Sequence, residues 1–265
     1  MHTVGLNDEL MLTMQPAAAS RITLRCNQVD LAVDQTNLVY RAAELVLARA
    51  NRTMDLSISL TKRIPMGAGL GGGSSDAAAT ILGLNRLLEL KWSVEQMADV
   101  GQQLGSDVPF FFVAPAACVT GRGEHVRPVR VTGNRWIVLV SPGFPVPTKW
   151  AYQQLAATRA GVRPLSAAVQ SLDQRSELDW SEIVPLVEND FEEPVFAHHP
   201  VLAQIKSQLL SLGAEVALLS GSGATMFGLF RDQSAAQHAA DVFGRNPGMT
   251  AYAVPAAGAP TTTLV

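Results

Sequence analysis

Cysteine is scarce in this chain of 265 residues: Cys26 and Cys118 are the only two. Two thiols so far apart build no disulfide framework and have no metal-ligand spacing, and they suit a reducing cytoplasm. Charge is sparse as well, at 16% Asp, Glu, Lys and Arg with a formal net charge of -3. No long basic run breaks that balance, which argues against a nucleic-acid partner. No apolar stretch is long enough to cross a bilayer. The opening "MHTVGLNDELMLTM" has no basic segment leading into an apolar one, so it is not a secretory leader. No segment repeats at a fixed period. Apolar residues nevertheless make up 48% of the chain, enough for a substantial core and too many for general disorder.

Periodicity divides the chain into mixed elements. Residues 9 to 13 and 21 to 31 read as strands. A helix is expected from Asn37 to Ala50, capped by Thr36 or Asp34, with Leu38, Ala42, Leu45 and Val46 at helical spacing. "DLSISLTKRI", 55 to 64, alternates as a strand. Helices are expected from Ser75 to Leu90 and from Ser93 to Leu104, the latter with Ser93 and Gln96 spaced as a capping box. "VPFFFV" reads as a strand, and "ACVTGRGEHVRPV" as two strands about a glycine turn. "RWIVLVSP" has the pattern of a buried strand, and residues 156 to 180 are polar and irregular with helical pieces. "PVLAQIKSQLLSLG" opens on proline and stops at glycine, as helices do. "VALLSGSGATMFGLF" is strand, glycine turn, strand, and "QSAAQHAADVFG" is a last helix. The tail from Val254 reads as frayed. Strands and helices mix without a strict βαβ rhythm, so the expected class is α+β, in two lobes of residues 1–133 and 134–265.

The segment "PMGAGLGGGSSDAAATILGLN", 65 to 85, carries the chemistry. Five glycines lie between Gly67 and Gly73. Glycine loses more freedom on folding than any other residue, so such a cluster needs a reason. A glycine loop feeding a helix holds phosphate well: the first helical N–H groups have no intrahelical partner, and the helix dipole is positive there. Ser74 and Ser75 stand at the expected helix start, where each can cap the helix or reach a phosphate oxygen. The G-x-x-x-x-G-K-[ST] pattern fails because Gly73 occupies the lysine position. Gly67, Gly69 and Gly72 fit G-x-G-x-x-G by spacing, but no parallel βαβ unit is expected around them.

"PMGAGLGGGSSDAAA" resembles the phosphate loop of the galactokinase, homoserine kinase, mevalonate kinase and phosphomevalonate kinase superfamily. "LGSDVPFFF", 104 to 112, and "LLSGSGATMFGLF", 218 to 230, resemble two further motifs of its branch acting on a cytidine diphosphate-linked methylerythritol. "ENDFEEPV" and "PTKWAY" match that branch too. The resemblance spans roughly residues 1 to 252. It implies an N-terminal ATP-binding domain like ribosomal protein S5 and a ferredoxin-like C-terminal domain. It also implies transfer of the γ-phosphoryl of ATP, with Mg2+, to a hydroxyl of a small-molecule substrate by a monomer or homodimer.

Residue by residue, the resemblance implies that Pro65, Met66, Gly67, Ala68, Gly69, Leu70, Gly71, Gly72, Gly73, Ser74 and Ser75 wrap the triphosphate. Asp107 stands where that branch has its general base; the alternative is a turn residue before Pro109. Lys62 and Asn37 fall near the adenine, against a solvated strand-end charge and a helix cap. Thr148 and Tyr152 fall on the substrate side, against helix packing for Tyr152. Gly221, Ser222 and Gly223 join them there, against a plain hairpin turn. Metal ligands are not assigned, and His198 and His199 read as the approach to a helix. The branch's opening P-A-K-[IL]-N-L and D-G-[YF]-H segments have no counterpart here, so the chain is expected to begin some tens of residues late relative to them. Two other readings follow: another kinase of the superfamily, or a relative that binds ATP and turns over poorly.

Overall fold

The computed structural model describes residues 1–159, 161 and 164–256. The first elements are β1 (Glu9–Pro16), β2 (Arg21–Cys26), α1 (Leu38–Arg49), β3 (Met54–Thr61), α2 (Gly72–Leu87) and α3 (Val94–Gln102). A 3-10 turn (Val108–Phe112) precedes β4 (Ala117–Thr120), β5 (His125–Pro128), β6 (Arg130–Thr132) and β7 (Trp136–Ser141). Then come α4 (Thr148–Thr158), α5 (Ala167–Leu172), β8 (Glu177–Asp179), α6 (Trp180–Ile183) and α7 (Glu192–His198). The last are α8 (Pro200–Ser211), β9 (Val216–Leu219), β10 (Met226–Phe230), α9 (Gln233–Gly244) and β11 (Thr250–Pro255).

The first sheet has the order β1-β3-β2, with β1 antiparallel and β2 parallel to β3. In β3, Leu56, Ile58 and Leu60 point inward while Ser57 and Ser59 face out, the alternation of a half-buried strand. Val39, Ala42, Ala43, Val46 and Leu47 form the buried stripe of α1, and Ala77, Ala78, Ile81 and Leu84 that of α2. These residues share one apolar cluster. The second sheet runs β11-β7-β10-β9, all antiparallel. Its connections, β7 through helices to β9, hairpin to β10, α9 to β11, are those of a ferredoxin-like plait. Val138 and Val140 of β7 meet Leu202, Leu209 and Phe243 on one face. Ile137 and Leu139 meet Trp180 and Val254 on the other, which is why "WIVLV" reads as a continuous apolar run. The α+β class holds. Among the described residues no helix is long and apolar enough to cross a membrane.

Several expectations are corrected. "VPFFFV" is a 3-10 turn with Pro109 at its start, not a strand. Proline fixes the φ of a first helical turn, and winding the segment brings Val108, Phe111 and Phe112 onto the first core while Phe110 is buried edge-on against Phe111. Asn37, not Thr36 or Asp34, caps α1: its Oδ1 accepts from Val39 N at 2.9 Å. β2 ends at Cys26, where Asn27 turns to bond both backbone groups of Lys62, N to Oδ1 at 2.7 Å and Nδ2 to O at 3.2 Å. One parallel crossover does exist, β2–α1–β3, but it precedes the glycine loop and does not span it. Val254 and Pro255 do not fray: they pair with Ile137 and Trp136 as the end of β11. The rest of the tail, 257–265, lies outside the described residues. The capping box at Ser93 and Gln96 forms as expected.

Candidate active site

β3 delivers the chain to Lys62, and a glycine loop then carries it into α2. The helix begins at Gly72, three residues before the expected Ser75. Its cap is Gly71, in the left-handed region at φ 68, with no side-chain cap bond. A left-handed glycine turns the chain into the helix without a capping side chain, so Ser74 and Ser75 are not caps. Ser75 N closes the first helical bond, onto Gly71 O at 2.9 Å. The N–H groups of Gly72, Gly73 and Ser74 come before it and are the orphan donors of the helix start. Together with the dipole they make an anion site at the loop. Ser75 Oγ donates back to Gly72 O at 2.8 Å. Ser74 Oγ instead faces the Asp107 turn, 4.0 Å from where a Cβ on Gly105 would lie.

A second loop braces the first. Thr225 N donates to Ala68 O at 3.1 Å, and Ser220 Oγ donates to Gly69 O at 2.9 Å. A Cβ on Gly69 would stand 2.2 Å from Ser220 O, and its φ is 74, so this position admits glycine alone. The 221–223 turn therefore lies against the glycine loop, which goes beyond a plain hairpin turn. Ser222 is buried, and its Oγ meets Thr148 Oγ1 at 3.1 Å at the start of α4. The glycine loop, the 221–223 turn and Thr148 are thus contiguous. Asp107 opens the 3-10 turn after Gly105; its side chain is exposed and makes no capping bond. Tyr152 is 60% exposed and meets Phe191 edge-on, ring centroids 4.9 Å apart.

Lys62 is no solvated charge. Its ammonium sits under the first turn of α2, 3.3 Å from a Cβ position on Gly72. It bonds Asp76 Oδ2 at 2.8 Å and pairs with Asp8, and all three side chains are at most 5% exposed. Asp8 Oδ1 also accepts from Arg63 N at 2.5 Å and Ile64 N at 2.9 Å, pinning the entrance to the loop. Burial works against the Lys62 charge, but Asp76 and Asp8 outweigh it and raise its pKa. Burial pushes the Asp76 carboxyl up to about 7, against the pull of Lys62. The sequence motifs contain Asp76 but assign neither it nor Asp8 a role; the signal was a lysine at a strand end with an acid one turn into the next helix. Asn37 is buried, both ends of its amide engaged: Nδ2 donates to Ala32 O at 2.6 Å and Oδ1 caps α1. Its neighbour Leu38 touches Gly73, 3.5 Å from a Cβ there. His199 stacks on Phe144, and His198 Nδ1 meets Pro194 O at 3.1 Å. Among the described residues no group of three or more His, Cys, Asp or Glu is placed to hold a metal ion.

Residues 37–114 match the model of the GHMP kinases N-terminal domain, and residues 168–248 match that of the GHMP kinases C-terminal domain. The chain belongs to the GHMP kinase family. Among its GHMP relatives, a 4-diphosphocytidyl-2-C-methyl-D-erythritol kinase of Citrifermentans bemidjiense is 37% identical over 96% of this chain and 88% of its own. That of Syntrophotalea carbinolica is 39% identical over the same shares. A crystal structure of a 4-(cytidine 5'-diphospho)-2C-methyl-D-erythritol kinase superposes with a TM-score of 0.72 at 31% identity, covering 92% of this chain and 84% of that one. A homoserine kinase from Cytophaga hutchinsonii superposes at 0.76 with 23% identity, over 95% and 87%, and shows the GHMP fold alone. The expected pairing of an S5-like and a ferredoxin-like half is the GHMP kinase fold.

Proposed function

We propose that this chain transfers the γ-phosphoryl group of ATP to the 2-hydroxyl of 4-diphosphocytidyl-2-C-methyl-D-erythritol, a step of non-mevalonate isoprenoid biosynthesis. The observation that carries the reading is the start of α2, free of any side-chain cap, behind a glycine loop braced by Ser220 and Thr225, in a chain 37% identical to relatives so named. Pro65 to Ser75 wraps the triphosphate, with the N–H groups of Gly72, Gly73 and Ser74 on its oxygens. Lys62 and Asn37 support the adenine side through the strand and helix ends they fix. Thr148, Tyr152 and Gly221 to Gly223 hold the substrate, Tyr152 offering an exposed face to the cytosine ring. Asp107 accepts the proton of the attacking hydroxyl as the O–P bond forms and ADP departs in line. Positioning supplies most of the catalysis in such a transfer.

Magnesium fits this site as a phosphate-held ion, since it is commonly bound by substrate phosphates with only one or two carboxylates. The Ser74 and Ser75 hydroxyls and the Asp107 carboxylate are the oxygen donors at hand, and the ion neutralises charge on the phosphates when bound. We place the division into two lobes near Gly133 and the protein in the cytoplasm, as a monomer or homodimer. The test is a substrate panel with ATP and Mg2+, read by ADP release and by phosphorus NMR of the product. The cytidine diphosphate-linked polyol is expected to be phosphorylated, while homoserine and mevalonate are not. Transfer to homoserine or mevalonate in its place would overturn the assignment.

A further inference from the structure

We propose that Asn189 is a positioning residue that shapes the 221–223 turn and, through Phe191, the Tyr152 ring; the proposal rests on the phosphoryl-transfer reading above. β9 is the outer strand of its sheet, so among the described residues one edge of its backbone has no strand partner. The segment leading into α7 covers the end of that edge. Asn189 Nδ2 donates to Leu219 O and to Gly221 O, both at 2.8 Å. Its Oδ1 accepts from Phe191 N at 2.9 Å, so both ends of the amide are committed. Glu192 adds a third grip: Oε1 accepts from Leu219 N at 2.9 Å, and Oε2 pairs with Lys206.

The turn held in this way is the one that braces the glycine loop through Ser220 and Thr225 and meets Thr148 through Ser222. Phe191, fixed by the same amide, carries the edge contact to Tyr152. One side chain behind the site thus orders two of its substrate-side parts without touching the reacting atoms. Only an amide of this reach offers two donors to the carbonyls and one acceptor to the N–H. Aspartate keeps the acceptor but sets a carboxylate against two carbonyl oxygens. Alanine leaves all three groups without their partner, and at the part-buried Leu219 O and Phe191 N an unmade bond is costly.

The full chain and its Asn189→Ala, Asn189→Asp and Glu192→Gln variants are compared by thermal melting, by hydrogen exchange over residues 219–225, and by steady-state kinetics. Asn189→Ala is expected to speed exchange in the turn by about tenfold and to lower kcat/KM for the alcohol acceptor by about tenfold or more. The Kd of a non-hydrolysable ATP analogue should stay within about threefold, because Ser220 and Thr225 still hold the glycine loop. Asn189→Asp, which preserves the bond to Phe191 N, is expected to be at least as impaired as Asn189→Ala. Glu192→Gln keeps an acceptor for Leu219 N and is expected to show a smaller effect of the same kind. Aspartate restoring wild-type behaviour would reduce Asn189 to a local turn cap and overturn the proposal, as would unchanged exchange and kinetics in a folded alanine variant. If the unmodified chain phosphorylates no acceptor, the kinase reading falls, and the exchange data alone decide whether Asn189 shapes the turn.

Discussion

Asp107 stands exposed at the turn beside the α2 start, held by no capping bond, and so is free to meet a hydroxyl proton. Asp107→Asn keeps the shape and removes the carboxylate proposed as base. It is expected to lower kcat by about a hundredfold or more, in line with general-base catalysis, with the Kd of the ATP analogue nearly unchanged. A variant that keeps full kcat would show that another group takes the proton. Gly69 makes the opposite prediction. Its φ is 74, and Ser220 O is 2.2 Å from the place a Cβ would take, so Gly69→Ala must shift two backbones. Nucleotide affinity is expected to fall about tenfold, with a stability loss of about 1–3 kcal/mol; calorimetric titration and urea unfolding read the two. Asp76 gives a pH prediction. Burial raises its pKa from 3.8 to about 7, so between those values the folded chain binds more protons than the unfolded one. Stability from this group is therefore full below about pH 4 and falls as pH rises toward 7. Asp76→Asn removes that dependence. Urea midpoints for the two proteins, measured from pH 4 to 8, should show the wild-type advantage shrinking up to about pH 7 and level beyond; a constant difference would contradict the shift.

α1 and α2 begin side by side, and their starts differ in a way the sequence showed only in part. α1 starts on a side-chain cap, Asn37, whose removal as Asn37→Ala should cost about 1 kcal/mol. Thermal melting checks this, and a variant as stable as the parent would mean the cap contributes nothing. α2 starts on bare backbone. Alternation in β3, the helical stripe of α1, the Ser93 capping box and the Pro200 to Gly213 helix were all legible, because each has its own period or punctuation in consecutive residues. The start of α2 was displaced by three residues because Ser74 and Ser75 look like caps, while the actual cap depends on a left-handed Gly71. "VPFFFV" misled for a related reason: apolar runs suit a strand, but the consecutive Phe111 and Phe112 can both reach the first core only if wound around a turn. The loop, Asp107 and the 221–223 turn were readable as motifs. The roles of Asp8, Asp76 and Asn189 were not, although Asp76 and Asn189 stand inside quoted motifs, because those roles lie in partners 54, 14 and 30 or 32 positions away.

The apolar cluster under the first sheet and the one under the helices of the second are built from different stretches of the chain, yet the proposed nucleotide site rests on both. Its floor, the start of α2, rests on the first core, while its brace, Ser220 and Thr225, is carried by β9 and β10 of the second sheet. A ligand on the glycine loop must then stabilise both, since the loop cannot leave Ser220 and Thr225 without losing bonds that bound phosphate needs in place. Mass action sets the size: at a hundredfold excess over Kd, an ATP analogue binding only the folded chain adds about 2.7 kcal/mol. Scanning calorimetry is expected to show one endotherm, moved upward as a unit by the analogue with Mg2+. Trp92 lies against the first core and Trp150 against the second, so fluorescence from chains in which one or the other is the sole tryptophan of the four reports each separately. Both reporters should shift by the same amount. If the analogue raised the Trp92 transition and left the Trp150 transition where it was, the contacts of Ser220 and Thr225 with the loop would be too weak to couple the two cores. The 221–223 turn would then be a neighbour of the phosphate site rather than part of it.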